Sequence, residues 1–158
     1  MLEMLSPHFS RAEFEHSDTA TARGIRNVMG PVELSAAKAL CFHVFEPIRA
    51  HFGRPVNLNS GFRSRAVNLA VGSKPGSQHE RGEAGDHEIA GVPNAELALW
   101  IKGSNIDFDQ LILEAYQPGV PGSGWVHVSR TMRGKQRRQC LTMTMGSHGP
   151  VYSLGINP

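Results

Sequence analysis

Two histidines and one aspartate offer the most specific chemistry in this chain. The stretch SQHERGEAGDHEI, residues 77–89, places His79 and Asp86 seven residues apart, with Gly82 and Gly85 between them. A glycine-containing turn lets the chain fold back so that both side chains converge on one ion. Imidazole nitrogen and carboxylate oxygen are ordinary zinc ligands, at about 2.0–2.2 Å. A third ligand has to come from elsewhere, and the segment WVHVS, residues 125–129, supplies His127. Strand alternation turns Val126 and Val128 into the core and Trp125, His127 and Ser129 to the opposite face. Two histidines and one carboxylate leave a fourth position open to water, which is the catalytic rather than the structural pattern. Taken singly, each residue also has a plainer reading. His127 could be a structural or solvated strand residue, His79 an exposed loop residue and Asp86 a turn residue. His87 ranks as a distant substitute ligand, because a strand turns it away from Asp86.

Hydrolysis at such a centre also needs a group that takes and returns a proton. Closing the loop at residues 117–124 symmetrically sets Tyr116 opposite Trp125 and Glu114 opposite His127. Side chains opposed in this way have Cβ atoms about 4.5–5.5 Å apart. Glu114 would then project beside the metal as a general base, while Leu111 and Leu113 face the core. The competing role for Glu114 is to orient His127 through its second ring nitrogen. Arg63 follows a glycine turn, and a fixed guanidinium there can bind a carboxylate or stabilise an oxyanion. Trp125 reads either as a wall of the cleft or as packing. Gln78, Glu80, Arg81 and Arg65 read as surface.

The elements that must position these residues follow from pattern. Residues 10–15 form a short helix with a capping box, Ser10 preceding it and Glu13 three later. Residues 31–52 are the strongest helix, with Pro31 at its start, an apolar face from Leu34 to Ile48, and Gly53 as its stop. Pro47 should kink this helix or mark a boundary. A strand is expected at 55–59, a short helix at 64–71, a loop at 72–85 and a strand at 86–89. Residues 93–103 read as a helix capped by Asn94. Strands then follow at 108–116, 125–132, 139–145 and 151–154. Helices first and antiparallel strands later predict one α+β domain spanning residues 1–158.

Apolar residues make up 40% of the chain and charged residues 19%, which excludes disordered and collagen-like classes. No apolar run reaches the roughly 18 residues of a membrane span. The opening residues lack a secretory signal pattern. Net charge is +2, too weak a bias to argue for nucleic acid. The basic run Arg130–Arg138 reads as a solvated hairpin or as a patch for an anionic polymer. Cys41 and Cys140 read as buried free thiols.

The pattern Ser77-x-His79-x-x-Gly82-x-Ala84-x-Asp86, followed downstream by Trp125-Val126-His127-Val128, resembles the zinc D-Ala-D-Ala carboxypeptidase family. That family shares its metal-site fold with the Hedgehog signalling domain and the vancomycin-resistance dipeptidases. Phage-encoded members are the nearest in pattern. They carry segments similar to Leu5–Phe9 (LSPHF) with Glu13-Phe14, Ser60–Ser64 (SGFRS) and Phe108–Glu114 (FDQLILE). The resemblance runs through nearly the whole chain in the expected order. It implies a Hedgehog/DD-peptidase-like fold, with N-terminal helices packed on a mainly antiparallel sheet. It implies zinc as cofactor, with His79, Asp86 and His127 as ligands. Arg63 matches the arginine that contacts substrate near the scissile bond, and Ser77 the serine that opens the signature. The dipeptidase branch carries a glutamate just before the last histidine, where this chain has Ser123-Gly124, so Glu114 is left as the candidate base. Many relatives have Ala at Gly85 and an apolar residue at His87. The implied substrate is the stem peptide of bacterial peptidoglycan. The expected setting is a monomeric phage enzyme, made in the host cytoplasm and acting on the wall after release or as part of a virion. Two rivals are a non-enzymatic virion protein and a metal-stabilised binding module.

Overall fold

The computed structural model describes residues 2–158. A small ribbon of β1 (Met4–Ser6) and β2 (Phe9–Ser10) leads into α1 (Arg11–Glu15). Ser10 and Glu13 form the expected capping box there. A second short helix, α2 (Asp18–Arg23), has no counterpart in the apolar pattern. The long helix comprises α3 (Pro31–Leu40), a π-turn at Cys41–Phe45 and α4 (Glu46–Phe52), and it ends at left-handed Gly53. Pro47 brings no break. The π-turn just ahead of it, in which the Glu46 N–H donates to the Cys41 carbonyl, shifts the hydrogen-bond register where proline has no N–H to give.

A six-stranded sheet carries the rest. Its strands are β3 (Asn57–Ser60), β4 (Ala84–Glu88), β5 (Gln110–Glu114), β6 (Trp125–Ser129), β7 (Gln139–Gly146) and β8 (Gly149–Leu154), in the order β3-β4-β6-β5-β7-β8. Every pairing is antiparallel except β5 with β7. The mixed α+β architecture expected from the sequence is present, with one parallel pair inside it. Two more helices, α5 (Arg65–Ala70) and α6 (Asn94–Gly103), lie between strands. Asn94 is not the cap of α6. It is the first helical residue after Pro93, and its amide donates to Glu88 and to the carbonyls of Ser123 and Gly124.

One face of the sheet is covered by the long helix and α6. Leu40, Val44, Phe45, Ile48, Leu97 and Ile101 pack there against Leu111, Leu113, Val126 and Val128 in one apolar cluster. His87 belongs to this face. It is fully buried with its ring 5.1 Å from that of Phe45, and burial pulls it down to about 4, so it is a neutral core residue. It stands on the side of β4 away from Asp86, which removes it from the ligand candidates. Gly85 shares this crowding: a Cβ there would lie 2.7 Å from the Phe45 ring. Gly85 is therefore matched to Phe45. Cys41 is buried, but Cys140 is only half-buried, contrary to expectation.

The basic run is not a free hairpin. Residues 130–138 form the crossover from β6 to β7, and much of it is tied down. Arg137 donates to both oxygens of buried Asp109. Arg138 lies over the Phe108 ring, 4.6 Å from its centroid.

Candidate metal centre

The open face of the sheet presents what strand alternation assigned to it. Asp86 on β4 stands opposite His127 on β6, so the antiparallel ladder brings together two residues 41 positions apart. His79 arrives from a 3-10 turn, Gln78–Arg81, that Ser77 caps by accepting the His79 backbone N–H. Gly82 ends this turn at φ +68, and any Cβ there would run into the Glu33 carbonyl. That tight closure aims the His79 ring inward. Its Nδ1–H donates to the Gly61 carbonyl at 2.7 Å, which turns the Nε2 lone pair towards Asp86 and His127.

Three ligand atoms meet at this point. His79 Nε2 lies 3.3 Å from His127 Nδ1 and 3.4 Å from Asp86 Oδ1, and His127 Nδ1 lies 3.0 Å from the same oxygen. Electron-rich atoms at such separations repel unless a cation or a shared proton lies among them. Ligand atoms about 2.0–2.1 Å from a tetrahedral zinc stand about 3.3–3.4 Å from each other. The observed spacings therefore fit a metal ion, and the three residues form a group able to hold one. Burial opposes the charge on Asp86, yet the two imidazoles outweigh it and hold the carboxyl far below the usual range.

Glu114 does not stand opposite His127. It pairs with Trp125, and Ile112 takes the place opposite His127. The reason lies at the end of β5, where Ala115 adopts φ 52 and its N–H turns to the Met143 carbonyl of β7. The loop then closes on itself, with Ser123 Oγ accepting the Gln117 N–H and donating to the Val120 carbonyl. The pairing shifts by two residues, and an even shift leaves Glu114 on the face of His127. Burial, reinforced by the nearby Asp86, raises the Glu114 carboxyl to about 7. His127 Nε2 is buried without a hydrogen-bond partner among the described residues, so Glu114 does not orient that ring through it.

Arg63 leaves the end of β3 in a segment stitched from several sides. Phe62 N–H donates to the Phe14 carbonyl and Arg63 N–H to the His79 carbonyl, while buried Asn27 bonds Phe62 and Ser64. The guanidinium reaches Ser73 Oγ at 3.0 Å and Asp86 Oδ2 at 3.5 Å. Burial lowers its pKa, and Asp86 and Glu114 offset part of that. Arg65 faces solvent as expected.

All these groups open into one cleft of about 990 Å³, lined by Arg63, Ser77, His79, Asp86, Glu114, Trp125 and His127. Asn27 and Ser73 are missed from sequence, and Gly61 is taken there only as part of the SGFRS turn, not as the acceptor that orients His79. A loop asparagine, a loop serine and a backbone carbonyl carry no local pattern that marks them. Gln78 and Glu80 are braces rather than free surface, bonding Asp109 and Asn68 respectively.

Residues 7–129 match the family model described as Peptidase M15. The chain belongs to the peptidase M15 family. Family members are zinc-dependent metallopeptidases of the D-Ala-D-Ala carboxypeptidase type, which accords with the His79, Asp86 and His127 group. No curated protein matches this M15 chain. No helix among the described residues is long and apolar enough to cross a membrane.

Proposed function

We propose that this M15 chain is a zinc peptidase that hydrolyses peptide bonds in the stem peptides or cross-bridges of bacterial peptidoglycan. The observation that carries the reading is the convergence of His79, Asp86 and His127 in a cleft that also holds Glu114 and Arg63. His79, Asp86 and His127 would hold the ion. When bound, zinc supplies a Lewis acid that acidifies a water and polarises the scissile carbonyl.

The chain's own residues do the rest. A Glu114 carboxylate oxygen accepts the proton of the attacking water, and the same oxygen returns it to the leaving amine. That carboxyl is raised to about 7 without the ion, and a bound dication lowers it, which leaves it ionised as a base near neutral pH. Arg63, tethered by Ser73 and Asp86, keeps a guanidinium facing the cleft where a carbonyl oxygen gains charge or a terminal carboxylate docks. Ser77 lines the cleft, and its hydroxyl spends its acceptor on the His79 N–H while keeping a proton to donate. Half-buried Trp125 forms a wall beside Glu114, and its buried indole N–H is turned to that carboxylate, offsetting part of the rise that burial imposes on it.

The LSPHF, SGFRS and FDQLILE segments support a phage-encoded enzyme that opens the host wall. Mass spectrometry of purified peptidoglycan digested by the protein tests the reading, because it reports the new termini. The expected result is a single class of cleaved bond in the peptide moiety. Protein that carries about one zinc and yet releases nothing from the wall would overturn it.

A further inference from the structure

The C-terminal hairpin of β7 and β8 lies beyond the residues that match the family model, yet it furnishes one end of the cleft. Its register places it there. Trp125 on β6 pairs with Glu114 on β5, Glu114 with Met143 on β7, and Met143 with Tyr152 on β8. These four side chains form one cross-strand row on the open face. The neighbouring row runs His127, Ile112, Leu141, Leu154. The far side of the cleft is therefore apolar, made of Leu141, Met143, Pro150 and Tyr152, while the near side carries Arg63, His79 and Asp86. Met143 is buried beside Tyr152, a residue that is 53% exposed and lines the cleft. The Tyr152 phenol also senses the site: after burial, Glu114 and Asp86 raise it above its ordinary value.

Resting on the peptidase reading, we propose that Tyr152, backed by Met143, forms a substrate subsite for an uncharged residue of an extended peptide, several residues from the scissile bond. The span sets the length. Three strand spacings separate β6 from β8, about 14 Å at 4.7–4.9 Å each. Extended peptide covers about 3.3–3.6 Å per residue. A substrate that reaches Tyr152 from the metal group thus needs about four residues on that side. Measured between backbones, a terminal dipeptide covers only about half of that span. The substrate class is then a stem-peptide chain of several residues whose small apolar side chains, alanyl methyls above all, lie against the tyrosine ring.

The test is kcat/KM for synthetic stem peptides of two to six residues, lengthened in turn on either side of the scissile bond. Wild-type protein, Tyr152→Ala, Tyr152→Phe and Val151→Ala are compared. Val151 lies on the same strand but faces away, and is 56% exposed, so it serves as control. Wild-type kcat/KM is expected to rise with length on one side. Tyr152→Ala should lose about tenfold on the longest peptides, mainly through KM, and nothing on the shortest. Tyr152→Phe and Val151→Ala should stay within about twofold of wild type. Binding of the longest peptide to Glu114→Gln protein, followed by calorimetry, should weaken by a similar factor when Tyr152→Ala is added. Equal activity of Tyr152→Ala and wild type on long peptides overturns the subsite, as does an equal loss at every length. If wild-type protein cleaves none of the peptides, the peptidase reading fails and the subsite with it.

Discussion

Glu114 answers two opposed demands, since a base must be ionised while its burial favours the neutral acid. Its carboxyl rises from an ordinary 4.5 to about 7 in the metal-free protein. A bound dication pulls it back down. The ascending limb of the kcat/KM profile is therefore expected at or below pH 7, and Glu114→Gln should remove it. That substitution should lower kcat by about 10²–10⁴ while zinc content stays near one per chain. Stability gives an independent readout. A raised carboxyl means that the fold binds the proton more tightly than the unfolded chain does. The stability this contributes is complete below pH 4.5 and is lost as pH rises through about 7. Metal-free Glu114→Gln should therefore be more stable than wild type at pH 8, by up to about 3 kcal/mol, and similar to it at pH 4. Denaturant melts at the two pH values measure the difference. The face on which Glu114 stands was legible in the sequence because alternation has period two. Its partner was not, because nothing about Ala115 announces φ 52.

Among the elements, β4 and the hairpin of β5 and β6 set the geometry of the site. Gly85 lets β4 lie against the long helix, so Gly85→Ala should cost about 1–3 kcal/mol by overpacking Phe45. Adding Phe45→Leu should recover part of the loss, and a double-mutant cycle in urea would measure the coupling. Ala115 holds a left-handed conformation that costs a side chain about 1–2 kcal/mol. Ala115→Gly should raise stability by roughly 0.5–1 kcal/mol, the remainder going to the entropy of the more flexible unfolded chain. The helices with strong apolar faces and the alternating strands could be read directly from residues. Asn94 could not, because tertiary bonds to Glu88, Ser123 and Gly124 decide its place. The parallel β5–β7 pairing was also hidden, since it depends on where a crossover lands rather than on any local pattern.

Across the whole molecule the sheet separates two functions. The core lies under one face and the metal group on the other, so removing the ion should disarm the protein without unfolding it. Chelation is expected to abolish cleavage and lower the melting temperature by several degrees, with far-ultraviolet circular dichroism unchanged and activity restored by zinc. Coincident loss of secondary structure would instead point to an ion that organises the fold. The crossover at residues 130–138 has a further consequence. Arg137 and Arg138 are engaged with Asp109 and Phe108, whereas Arg133 and Lys135 are exposed. Limited trypsin digestion should therefore nick the chain at those two residues. The pieces should still travel together through a sizing column, because β7 remains paired with β5 and Asp109 still grips Arg137. A nicked yet associated protein would offer a route to exchanging the C-terminal fragment, and with it one end of the cleft, as a separately made peptide.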